Sequence, residues 1–124
     1  MLELLIVAAV IYFICKRNKK RPRRHIYRYS AETTKRYLDH DYIFSIEKIG
    51  NVYRCYVNRY PSFRGRNTAN YLYHILRESK TRRVYICWTG AIRTRDQAMT
   101  LCENWANATQ KFIDTGVPAP GFSR

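Results

Sequence analysis

The stretch from Tyr42 to Tyr60 constrains the fold more than any other part of this chain. The segments YIFSIEKI and VYRCYVNRY flank Gly50-Asn51, a two-residue loop of the kind that closes a β-hairpin through a tight primed turn. Taking those two residues as the loop sets Ile49 opposite Val52. Phe44 then faces Val57, Ile46 faces Cys55 and Lys48 faces Tyr53 on one side of the ribbon. Ser45 faces Tyr56 and Glu47 faces Arg54 on the other. One face is apolar and the other carries opposite charges, so the hairpin needs a cover on one side only.

The cover is legible near the C-terminus. Thr94-x-x-Gln97 is a capping box, and Asp96 complements a helix N-terminus. Ala98, Leu101, Cys102, Trp105, Thr109 and Phe112 recur at three- and four-residue spacing, a stripe suited to one face of a sheet. Gly116 closes this helix and Pro118 prevents its resumption. Between hairpin and helix, YPSFRGRNTAN (60–70) reads as an exposed basic loop. YLYHILR (71–77) fits a helical stripe through Ala69, Leu72 and Leu76 as well as a Tyr- and Ile-rich strand. Turn-like ESKT and RRVYICW favour the strand and a second hairpin, with VYICWT (84–89) central in the sheet. Before the first hairpin, Ser30 looks like an N-cap for a short helix over AETTKRYLD.

The expected fold class is therefore α+β: an antiparallel sheet of three to four strands under a C-terminal helix, preceded by a short apolar helix. The order α-β-β-(β)-β-α resembles that of double-stranded-RNA-binding domains. The resemblance is one of element order, and the basic helix start and loop motifs of that family are not visible here, so no residue role is carried over.

The N-terminus speaks to location. An apolar run from Leu4 to Cys15 meets seven basic residues, Lys16, Arg17, Lys19, Lys20, Arg21, Arg23 and Arg24. An oily segment stopped by dense positive charge is the pattern of a single-pass anchor with its N-terminus out and its C-terminal domain in the cytoplasm. As a helix, residues 1–15 rise about 22 Å against a hydrocarbon core of roughly 30 Å. Snorkelling of Lys16 and Arg17 and slight bilayer thinning close that gap. A secretory signal would carry its charge ahead of the apolar run, whereas here the early charge is Glu3. The alternative is an apolar N-terminus buried in the fold. The expected organisation is a membrane anchor over 1–15, a basic juxtamembrane linker over 16–29, a small domain over 30–117 and a loose tail over 118–124.

Charge suggests partners. Residues 16–28 hold eight basic side chains and no acid, and beyond Glu3 the remainder holds fifteen basic residues against eight acids. The juxtamembrane cluster favours anionic lipid headgroups. The domain's own excess favours polyanions more generally. If the helix covers the Ile46, Cys55 and Val57 face, the opposite face presents Arg54, Tyr56 and Tyr60. Arg83 and Tyr85 join them if Val84, Ile86 and Trp88 point inward, and Arg64 and Arg66 lie in the basic loop. Interleaved arginine and tyrosine can hold phosphates while stacking bases, or form a protein-binding hot spot.

Enzyme chemistry is not expected. The chain has no H-E-x-x-H, phosphate-binding glycine loop or G-x-S-x-G, and His25, His40 and His74 are scattered. Cys15, Cys55, Cys87 and Cys102 form no C-x-x-C pair and read as small apolar residues, so no metal or cofactor is implied. The expectation is a non-enzymatic, membrane-anchored module that presents a basic Tyr/Arg surface to nucleic acid, another polyanion or a protein. The alternatives are a soluble nucleic-acid-binding protein and a small protein-binding inhibitor or adaptor.

Overall fold

A computed structural model describes residues 24–66 and 74–117. Five antiparallel strands form one sheet: β1 (Arg24–Ser30), β2 (Asp41–Ile49), β3 (Val52–Arg59), β4 (Ile75–Arg77) and β5 (Val84–Ile86). Their spatial order is β1-β2-β3-β5-β4, and a helix, α1 (Arg95–Thr115), covers one face. The anchor, residues 16–23 of the connector, the proline stop and the tail lie outside the described residues. Among the described residues no helix is long and apolar enough to cross a membrane.

The β2–β3 hairpin adopts the expected register throughout, from Ile49 opposite Val52 to Phe44 opposite Val57. Gly50 supplies the positive φ, 63°, that the first central position of such a turn requires. Pairing resumes at Ile43 opposite Arg59, so Asn58 is an extra residue that bends the far end of the ribbon. The second hairpin forms over Ile75–Arg77 and Val84–Ile86, with Leu76 opposite Tyr85 and Arg77 opposite Val84. Residues 67–73, the end of the basic loop and the start of the expected strand, lie outside the described residues.

The helix begins and ends as its caps dictate. Thr94 Oγ1 accepts the Gln97 N–H at 3.1 Å, and the Gln97 side chain in turn accepts the Arg93 N–H at 2.9 Å. Gly116 (φ 78°) donates its N–H to Phe112 O at 2.7 Å. All six stripe residues are buried. Four of them, Ala98, Leu101, Cys102 and Trp105, pack with Tyr42, Phe44, Ile46, Cys55, Val57 and Ile86 to form the core. Trp105 sits at its centre, edge-on to both Tyr42 and Phe44, with ring centroids 6.0 and 6.1 Å away.

Two expectations fail ahead of the hairpin. Residues 24–29, read as the end of the basic linker, belong to β1, which pairs with β2 from Arg24 opposite Glu47 to Ser30 opposite Asp41. That adds a strand beyond the three to four expected. Their period-two pattern was hidden under the charge: Arg24, Ile26 and Arg28 are exposed, while His25, Tyr27 and Tyr29 turn half-buried toward the helix. The helix expected after Ser30 does not form, and the double-stranded-RNA-binding element order is lost with it. Ser30 ends β1 and donates to Asp41 Oδ1 at 2.7 Å instead of capping. Residues 31–40 make a loop closed by Ala31 N–H to His40 O at 2.8 Å. A helix there would have little apolar face to bury, and Tyr37 stands 83% exposed.

That loop is held instead by a polar stripe on α1 that runs beside its apolar one. Tyr27 Oη donates to Glu103 (2.5 Å), Tyr29 Oη to Asn107 (3.0 Å) and Tyr42 Oη to Gln110 (3.0 Å). Thr33 Oγ1 donates to Asp114 at 2.5 Å, and Asn107 also accepts the Glu32 N–H at 2.9 Å. Glu103, Asn107, Gln110 and Asp114 recur at four, three and four residues, so one line of the helix receives three tyrosines and the loop. Burial, followed by the Glu103 bond, pushes the Tyr27 phenol well above its ordinary value.

Candidate binding surface

Four of the seven residues expected on the binding surface converge on the sheet face opposite α1. Tyr56 and Tyr85 are cross-strand partners on β3 and β5, with ring centroids 5.9 Å apart. The Arg83 guanidinium lies 3.7 Å from the centroid of the Tyr56 ring, and that of Arg54 lies 4.2 Å from the Tyr85 ring. Each arginine therefore stacks on a tyrosine of the neighbouring strand.

The same arginines are already engaged by carboxylates. Arg83 grips Glu47 with two bonds, 3.2 and 2.5 Å, and Ser45 Oγ adds a third donor at 2.9 Å. Arg24 Nε approaches that carboxylate to 3.5 Å from the edge strand. Arg54 donates to Glu78 at 3.0 Å, and Glu78 also accepts the Tyr56 hydroxyl and Thr81 Oγ1. Arg83's hydrogen bonds, with help from Ser45 and the charge of Arg24, outweigh burial and hold the Glu47 carboxyl below its ordinary value. Burial and the bond to Glu78 push the Tyr56 phenol up. Glu47 and Tyr56 are only 5% and 3% exposed, so this is a closed network in place of an open stacking platform. Glu47 and Arg54 are cross-strand neighbours as expected, yet each finds its ionic partner further along the sheet.

The other three residues lie elsewhere. Tyr60 packs on Phe63, with ring centroids 5.5 Å apart, and Phe63 packs on Phe112 of α1. Arg64 is exposed beyond that contact. Arg66 donates to the carbonyls of Ile113 and Asp114 at 3.2 and 3.3 Å, satisfying the open end of the helix. A Cβ on Gly116 would meet this guanidinium at 2.9 Å. The loop read from its composition as a free basic surface is thus partly a helix cap. Trp88 also departs from expectation. Ile86 is buried, but β5 ends there, and Trp88 stands 55% exposed past the strand end.

Among the described residues no three metal-binding side chains come together. Cys55 and Cys102 meet in the core, where the Cys55 Sγ also points at Ala98 O, 3.5 Å away. The contact with Cys55, followed by burial, pushes the Cys102 thiol far above the range of a nucleophile. Iodoacetamide is expected to leave Cys55 and Cys102 unlabelled in the folded protein and to modify them only with unfolding. Peptide mapping that finds Cys102 labelled in the native state contradicts this packing.

Compared with family models, with curated proteins and with solved structures, the chain matches none of them.

Proposed function

We propose that this protein is a non-enzymatic binding module held at the cytoplasmic face of a membrane, presenting a basic surface to a polyanionic partner. The observation that carries the polyanion part is where the acids go. Glu47, Glu78, Asp39, Asp41, Glu103 and Asp114 each accept hydrogen bonds from within the domain. Only Arg24, Arg54, Arg59 and Arg83 form ion pairs among the described residues. The positive excess is therefore left on exposed side chains such as Lys48, Arg77, Lys80, Arg82, Arg93 and Arg95. Such a surface attracts phosphate-rich partners through charge, and that attraction falls steeply with salt. Membrane location is supported by the oily Leu4–Cys15 run and the seven basic residues abutting it.

Cell fractionation tests the location. The chain is expected to sediment with membranes and to be released by detergent but not by high salt. Recovery in the soluble fraction at low salt overturns it. Filter binding of labelled nucleic acid across a salt series tests the partner class: retention at low salt that vanishes as salt rises supports a polyanion, and no retention at any salt directs the search to proteins.

A further inference from the structure

Four parts of the domain meet at one end of the sheet. Arg24 lies opposite Glu47, so the chain from the basic stretch joins the sheet beside the β2–β3 turn. The turn itself carries Ile49 and Val52. β5 runs toward the same end, because Tyr85 opposes Tyr56 and the two strands are antiparallel. Trp88 follows it there. The Tyr53 N–H donates to Ile92 O at 2.8 Å, which brings the start of α1 alongside.

This end exposes three large apolar side chains. Trp88 is 55% exposed, Ile49 43% and Val52 37%. Val52, Leu76, Trp88 and Ala91 help line an open groove of about 390 Å³. Lys48, Arg93 and Arg95 are exposed around it. An apolar centre with a basic rim could take protein or lipid. The sequence ahead of Arg24 favours lipid. Eight residues (16–23) separate the apolar run from this end of the sheet, a reach of at most about 29 Å even when fully extended. An anchor in the bilayer thus brings this end close to the headgroups. Tryptophan favours that depth, and the basic rim complements anionic headgroups.

We infer that the β2–β3 turn end of the domain docks on an anionic lipid surface, with Trp88, Ile49 and Val52 at headgroup level. The inference rests on the membrane location proposed above. It adds an orientation: the β4–β5 turn and the C-terminal end of α1, at the opposite end, face away from the membrane toward a partner.

The chain has two tryptophans, and the other, Trp105, is fully buried in the core. Trp88 is therefore a native depth probe. The full-length protein is mixed with vesicles of phosphatidylcholine and phosphatidylserine, with and without bromine on the acyl chains, and floated on a gradient. Docking predicts that the protein floats and that its emission drops in brominated vesicles. The W88F variant, reporting Trp105 alone, should float and show no drop. Flotation with equal emission in both lipids leaves the anchor standing and overturns the docking. A blue shift of Trp88 without quenching by bromine means that protein covers it, and overturns the docking too. Failure to float overturns the membrane location and the docking together.

Discussion

Replacing Trp105 with alanine is expected to cost about 3–5 kcal/mol of stability, the range for deleting a large buried aromatic side chain. Trp105 is fully buried and lies edge-on to Tyr42 and Phe44, whose own rings stack 6.1 Å apart at 7°. The helix is keyed to the sheet through this three-ring cluster. Each edge-to-face pair adds on the order of 1 kcal/mol beyond the area it buries. In a domain of this size each kcal/mol shifts the melting temperature by roughly 4–8 °C, so the variant melts tens of degrees lower or does not fold. Trp105→Phe separates ring packing from general disruption. Phenylalanine fills most of the space, and it removes an indole N–H that finds no hydrogen-bond acceptor among the described residues. Its cost is expected to be about half that of the alanine variant or less. Thermal unfolding followed by circular dichroism measures both, and an alanine variant melting within a few degrees of the parent would refute the keyed cluster.

The parts of the fold that the sequence declares are those governed by local geometry. A Gly-Asn turn sets the register of β2 and β3 residue by residue, because each cross-strand pair follows from the one beside the turn. Thr94, Gln97 and Gly116 bound the helix because caps are chosen by backbone groups one turn away. The parts that stay hidden depend on partners distant in the chain. Arg24–Ser30 alternates cleanly, but seven basic residues packed into Lys16–Arg24 draw attention to charge and away from period. Ser30 and the polar run after it suit a helix start equally well as a loop. The choice is made by Asn107 and Asp114, more than seventy residues later.

The same division runs through the candidate surface. Alternation placed Arg54, Tyr56, Arg83 and Tyr85 on one face, and they meet there. Alternation carries no information about which carboxylates reach them. Glu78 lies in the turn between β4 and β5, and it meets Arg54 and Tyr56 only because β5 is laid beside β3. Trp88 follows an apolar strand and reads as its continuation, but pairing ends at Ile86 and the ring is released to the surface. Arg66 reads as solvent-facing in a Gly/Ser/Pro-rich loop, and its role as a cap depends on where the helix stops. Composition identified the charge, and topology decided which charges stay free.

Arg83→Ala is expected to destabilise the domain by about 2–4 kcal/mol near neutral pH, below the full cost of breaking a wholly buried pair because Arg83 keeps 30% exposure. The loss arises chiefly at Glu47, whose side chain is 7% exposed and keeps only Ser45 and the more distant Arg24 as partners. The pH dependence distinguishes this cause from lost packing on Tyr56. In the parent, the folded Glu47 pKa lies below its unfolded value, so the unfolded chain binds the extra proton. That contribution is fully present above the unfolded pKa and is lost as pH falls toward the folded one. Without Arg83, burial dominates, the folded pKa rises, and protonation relieves the variant where it weakens the parent. Urea unfolding of both proteins should show a gap that is widest near pH 7 and narrows toward about pH 3. A gap independent of pH would assign the loss to the ring contact alone. The same reasoning bears on binding experiments. A polyanion that captured Arg83 would have to leave the Glu47 carboxylate buried and poorly paired, a penalty that exposed Lys80, Arg82 or Arg93 does not carry. Alanine at Arg54, Tyr56 or Arg83 therefore reports on folding before it reports on a partner, and substitutions at the exposed basic residues are the direct probes of the surface.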